Sequence, residues 1–135
     1  MFELNIVTPN KKLVTGAEMD EVFVPAFRGE LNILPGHSPL VSTLSEGALK
    51  YRLKGENETQ AIAISWGYVE ITPSGVNILA ETAEEKSEID VERAKEAIKS
   101  ADSALNQSDI TPADIEKYQR KRKRAEARIT VAQAK

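Results

Sequence analysis

Gly75-Val76-Asn77-Ile78-Leu79-Ala80-Glu81-Thr82-Ala83-Glu84-Glu85-Lys86-Ser87-Glu88-Ile89-Asp90-Val91-Glu92-Arg93-Ala94 is the stretch where the chain changes its period. Val76-Asn77-Ile78-Leu79 reads as a strand, entered through the turn residues Pro73-Ser74-Gly75. From Val91 the apolar positions are Val91, Ala94, Ile98, Ala101 and Leu105. Their alternating steps of three and four residues mark one face of a helix. The break near residue 85 predicts two units, a strand-built 1–85 and a helical 86–135.

Upstream the strand signals repeat. Phe2-Glu3-Leu4-Asn5-Ile6 alternates apolar and polar, and Pro9 follows. Glu21-Val22-Phe23-Val24 is expected to close at Pro25. Ala48–Lys54, Gln60–Ile64 and Tyr68–Ile71 complete the set. Short runs divided by Gly and Pro, each with one buried face, predict a β-sandwich or barrel.

Downstream, Asp90 is a natural N-cap for the first helix. Asn106-Gln107-Ser108-Asp109 ends its pattern. Thr111-Pro112-Ala113-Asp114 then starts a second helix, with Thr as cap and Pro at the first helical position. This helix should run to about Ala132, with Ile115, Tyr118, Ala125, Ile129 and Ala132 as its apolar stripe, interrupted by Arg122. Two helices joined so briefly predict an antiparallel hairpin, giving an α+β fold. Its Ala-rich faces bury little area, so the hairpin should be marginal and able to detach.

Charge follows the same division. Residues 111–135 hold eight cationic side chains, Lys135 included, against three acidic ones, within a chain of net charge −3. Arg120, Arg124 and Arg128 recur at four-residue steps and share a helix face. Such a face suits an anionic partner or the acidic body itself. With three Tyr, three Phe and one Trp, no base-stacking pattern interleaves the tail, and nucleic acid is not the expected partner. Met1-Phe2-Glu3-Leu4-Asn5 predicts no signal peptide, and no apolar run predicts a membrane span.

Catalytic chemistry is not legible. The chain has no cysteine and one histidine, His37. No nucleophile elbow is present, and the 29–36 segment lacks the Lys-Ser/Thr of a phosphate loop. No catalytic or metal-binding residue is assigned, and an enzyme is not expected. His37 lies between the turn elements Pro35-Gly36 and Ser38-Pro39, where holding backbone groups is favoured over acting as a base.

Within the distinctive stretch 28–40, which opens on Arg28, Gly29-Glu30-Leu31-x-Ile33-Leu34-Pro35-Gly36-His37-Ser38-Pro39-Leu40 resembles the signature of bacterial F-type ATP synthase epsilon subunits. Leu4-x-Ile6-Val7-Thr8-Pro9, Gly67-Tyr68-Val69-Glu70-Ile71, Ile78–Glu84 and Ile89-Asp90-x-x-Arg93-Ala94 extend the likeness over essentially the whole chain. Trp66 departs from it, standing where the family usually has glycine beside a tight strand.

The resemblance implies a flattened β-sandwich followed by an antiparallel two-helix hairpin, in a non-catalytic central-stalk subunit held peripherally on the cytoplasmic side of a bacterial plasma membrane. It implies that the sandwich sits on the gamma subunit and meets the c-subunit ring, with Gly29, Glu30, Leu34, Pro35, Gly36 and His37 at partner contacts. It implies a mobile hairpin that restrains ATP hydrolysis when extended toward the alpha and beta subunits. Lys117, Arg120, Lys121 and Arg122 are the expected contacts there. No cofactor is required. Some bacterial members hold a regulatory ATP between the folded helices, and the matching residues are Glu84, Ile89, Asp90, Arg93, Ala94, Arg124 and Arg128. Antiparallel helices joined at 106–111 would set Arg93 opposite Arg124 and Asp90 near Arg128. Ser100 stands where those members often carry another arginine. A plain ion-pair face, with Asp90 as cap, is the other reading of the same residues.

Overall fold

The computed structural model describes residues 2–26 and 29–133. Met1, Arg28 and Lys135 lie outside the described residues. The strands are β1 (Glu3–Val7), β2 (Lys12–Ala26), β3 (Gly29–Ile33), β4 (Leu40–Leu44), β5 (Gly47–Leu53), β6 (Thr59–Ile64), β7 (Gly67–Thr72), β8 (Gly75–Ala80) and β9 (Ala83–Glu85). A 3-10 turn, Lys86–Glu88, leads to α1 (Val91–Leu105) and α2 (Pro112–Ala132).

β2 joins the two layers. Its first half pairs with β1, Leu4 opposite Ala17. Its second half pairs with β5 and β3, Val22 standing opposite Tyr51 on one side and Ile33 on the other. β6 and β9 extend that layer. The other layer runs β1–β8–β7–β4, and Ala26 opposite Leu44 ties β4 back to β2. β1 and β8 are parallel, while the other pairings are antiparallel. Leu4, Ile6, Val22, Val24, Ile33, Leu49, Val69 and Val76 are completely buried between the layers. Each such side chain contributes about 1.5–3 kcal/mol relative to exposure.

Three expectations are corrected. Pro25 does not end its strand. It has no N–H to give, yet its carbonyl accepts from Ser45 N at 2.8 Å, so the strand continues to Ala26. Gly29–Ile33 and Leu40–Leu44, read above as a motif with turns, are strands on either side of one turn. Pro35-Gly36 does form that turn: His37 N donates to Leu34 O at 3.1 Å, and Gly36 has φ +89°. The apolar stripe of α2 is also displaced. Ala127 and Val131 face the sheet, packed on Ala63 with Ala48, Ala61 and Ile89 beside them. Ala125, about 200° around the helix from Ala127, is buried on the other side with Ala94 and Ala101 of α1. Ile115, Tyr118 and Ile129 are only partly buried. Small residues let three backbones approach, and the larger apolar side chains sit at the margins.

The helix starts follow their signals. Asp90 accepts from Arg93 N at 3.1 Å, and Thr111 accepts from Asp114 N at 3.2 Å. Between sheet and hairpin, Glu88 is an anchor. Its carboxylate accepts from Glu85 N at 3.2 Å and from Lys11 Nζ at 3.3 Å. The backbone bond first, and Lys11 second, hold its pKa below the usual value of 4.5.

The departure at Trp66 leaves the tight crossing intact. The close approach is made by Gly67, where a Cβ would press into the backbone of Leu79 and Ala80. Trp66 turns outward, 44% exposed. Gly67→Ala should therefore cost about 3 kcal/mol in urea unfolding, the upper range for overpacking. Gly36→Ala meets open space and only an unfavourable φ, so it should cost about 1–2 kcal/mol. Because the Glu88 pKa is depressed in the folded chain, its anchoring is complete above the ordinary carboxylate value and is lost as pH falls through the lowered one. An NMR titration should place the Glu88 midpoint below that ordinary value. Lys11→Ala should reverse the smaller part of the displacement.

Candidate functional sites: a cationic groove and an apolar sheet face

The hairpin has a groove of about 490 Å³ along one side. Arg93, Glu96, Ala97 and Ser100 of α1 form one wall, and Lys121, Arg124 and Arg128 of α2 form the other. Steps of three and four residues bring each set onto one helix face. Four cations meet one carboxylate there. Guanidinium forks fit phosphate or carboxylate oxygens in pairs, so the groove has the chemistry to receive an anion.

Arg93, Arg124 and Arg128, predicted from the sequence, share this groove. Arg128 is already engaged, its Nε donating to Glu84 Oε1 at 2.8 Å. Glu84 thus reaches the site through Arg128. Asp90 is used as the helix cap, Ala94 is buried, and Ile89 is partly buried against the Ala127 and Val131 cluster. Lys121, expected at a partner contact, also lines the groove. The helical spacing of 121, 124 and 128 was the available signal.

The remaining basic residues of α2 are mostly paired within the chain. Arg120 Nε donates to Glu46 at 2.9 Å. Arg122 donates to Asp102 at 2.8 Å and to Glu126 at 2.6 Å. Lys117 Nζ lies 5.5 Å from the centre of the Tyr118 ring. In the sandwich, Gly29 and Glu30 are exposed at the start of β3. Leu34, Pro35 and Gly36 form an exposed turn, and the His37 ring donates from Nδ1 to Ser38 O at 2.7 Å. That bond is the backbone-holding role expected of this histidine.

Sequence reasoning missed a second surface. On the outer face of β1, β8, β7 and β4, Leu79 stands beside Val7 and Tyr68, and Tyr68 beside Thr43. Tyr68 is 51% exposed, Leu79 57% and Val41 66%. Trp66 and Pro9 continue the patch around an apolar hollow of about 450 Å³. An alternating strand normally presents polar residues to water, so large apolar residues at outward positions mark a contact face. That inversion was visible in Tyr68 and Leu79.

A further hollow, about 560 Å³, lies beside Val131 and is lined by Tyr51, Gln60 and Glu85. Burial first, and Glu85 second, raise the Tyr51 pKa, so its phenol stays protonated at neutral pH. No group of acidic or histidine side chains suited to a metal occurs among the described residues. No helix there is long and apolar enough to cross a membrane.

Residues 1–86 match the family model for the β-sandwich domain of the ATP synthase delta/epsilon chain. Residues 87–133 match the model for its long α-helix domain. The ATP synthase epsilon chain of Bdellovibrio bacteriovorus is 46% identical, over 98% of this chain and 94% of that one. That of Halalkalibacterium halodurans is 43% identical, over 97% and 96%. In fold, the chain superposes on one from Euglena gracilis mitochondrial ATP synthase with a TM-score of 0.82 at 20% identity, covering 93% of this chain and 78% of the other. A chain from the central stalk and c-ring structure of the Tetrahymena thermophila mitochondrial enzyme gives 0.65 at 13% identity, covering 97% and 96%. Two consecutive family matches that together span residues 1–133, and relatives 46% and 43% identical over nearly the whole chain, show that the chain belongs to the ATP synthase delta/epsilon chain family.

Proposed function

We propose that the chain is a non-catalytic central-stalk subunit that couples rotation of the c-ring to ATP synthesis through gamma. The observation that carries this reading is the apolar outer face on which Trp66, Tyr68 and Leu79 are exposed beside the half-buried Val7. A face of this kind fits a permanent protein contact, and gamma is the partner that family membership favours. The turn at Leu34–His37, with Glu30, is the proposed contact with the c-ring. The subunit is then held peripherally, on the cytoplasmic side of a bacterial plasma membrane, by its partners.

The hairpin is the regulatory element in this reading. It rests on the sandwich through a small alanine-lined contact, and a two-state element of that kind moves with a few kcal/mol of differential binding. Released, α2 would present Lys117, Arg120, Lys121 and Arg122 to acidic surfaces of the alpha and beta subunits and slow hydrolysis. The groove of Arg93, Lys121, Arg124 and Arg128 supports a regulatory ATP that favours the folded hairpin. Its volume falls within the usual range for small-ligand sites, about 300–1,000 Å³.

Leu79→Glu should weaken gamma binding at least about tenfold, as expected for a charge buried in an interface core, while leaving the fold unchanged by circular dichroism. Deleting residues 91–135 should keep gamma binding and raise ATP hydrolysis by the assembled enzyme. Unchanged hydrolysis would remove the inhibitory role and leave the coupling role standing. Calorimetric titration of the full chain with ATP should show saturable binding that disappears in Arg93→Ala/Arg124→Ala. A flat titration at millimolar ATP would make the groove an ion-pair face.

A further inference from the structure

The docked hairpin is flanked by two ion pairs between α2 and the sandwich, and they differ in kind. Arg128 and Glu84 are both partly wet, with side chains 35% and 28% exposed. Glu46, in the turn between β4 and β5, has a side chain only 6% exposed, while its partner Arg120 is 43% exposed. The groove over Glu46 is shared by the sandwich and α2, with Glu30, Lys50, Lys123 and Glu126 as its other charged groups. A carboxylate covered in this way has lost much of its water and depends on its cation. The guanidinium of Arg120 reaches solvent and would hydrate readily if left alone. The pair is therefore lopsided: the acid needs the base far more than the base needs the acid.

We propose that Glu46 is an internal stand-in for an acidic protein partner. While the hairpin is docked, Glu46 holds the Arg120 guanidinium that an acidic protein surface would otherwise take. Docking on the sandwich and binding of α2 to such a surface then exclude each other at a single side chain. The identity of the partner rests on the stalk reading above. The intramolecular contact and its competition with acid do not.

The chain contains no cysteine, so a single thiol can report docking. Ala127 is 5% exposed against the sheet, and in an Ala127→Cys background the rate of labelling by a thiol reagent measures the undocked fraction. Arg120→Gln should accelerate labelling at least about tenfold, because it leaves a covered carboxylate unpaired. Glu46→Gln should change it less than about threefold, the range of a solvated surface pair. Glu46→Leu/Arg120→Leu should return near the parent rate with a weaker salt dependence, that of the remaining Arg128–Glu84 pair. Arg120→Lys keeps the charge and should stay near the parent, which separates loss of the ion pair from loss of packing. Amide exchange protection at Val22 and Val69, buried between the layers, checks that each sandwich remains folded. Equal effects of Arg120→Gln and Glu46→Gln, or no effect of either, overturn the lopsided pair.

Competition is read by adding polyglutamate, with sodium chloride at matched ionic strength as control. It should accelerate labelling of the parent more than that of the Glu46→Gln chain, because without the internal acid the docked Arg120 can also take polyglutamate and the ligand then favours the undocked state less. Equal acceleration of both chains, or none in either, overturns the exclusion. These measurements use the full chain alone, so their failure is distinct from loss of gamma binding by Leu79→Glu.

Discussion

Both layers of the sandwich hang on β2. Its fifteen residues pair with β1 at one end and with β3, β4 and β5 at the other. Register shifts on β1 between Leu4, Ile6 and Val7, and on β2 between Met19 and Glu21, let the strand turn from one layer into the next. With that path set, Val22 and Val24 must point inward beside Leu4 and Ile6. The outer face of the β1 layer is then free to carry Tyr68 and Leu79, and the β5–β6 side is free to receive α2. The two candidate surfaces adjoin at one edge, where Trp66 and Glu81 share a hollow with Arg120 and Arg124 of α2.

The hairpin is held by a different balance. Alanine and valine give α2 close contact with the sheet but little buried area. The ion pairs of Arg120 and Arg128 add orientation, since each joins α2 to one position on the sandwich. Exposed pairs contribute little energy, and Glu46 is the member for which a missing partner would matter. Weak adhesion with firm registry is the balance that the proposed two-state hairpin requires.

Periodicity made much of this fold readable. The alternation in Phe2–Ile6 and the three-four spacing from Val91 each describe one covered face, and tertiary packing did not override them. The caps at Asp90 and Thr111 were readable because their bonds are local. Residues 12–20, β3 and β4 were not, since their strand character comes from partners far along the chain and their composition suggests loops. The α2 stripe was displaced because two surfaces, α1 and the sheet, cover different sides of it. A one-face reading then selects the larger residues, Ile115, Tyr118 and Ile129, over Ala127. The groove arginines could be found from helical spacing. The Arg120–Glu46 and Arg128–Glu84 pairs could not, because they join residues 74 and 44 positions apart.

The parallel pairing of β1 with β8 also bears on how the chain is made. Glu3 stands opposite Gly75 and Val7 opposite Leu79, so one edge of the first strand has no partner until some eighty residues have left the ribosome. Until then Phe2, Leu4 and Ile6 are an apolar edge attached to a growing chain. Closure over such long separations is slow relative to helix formation. The nascent sandwich is therefore most open to aggregation just before its eighth strand arrives.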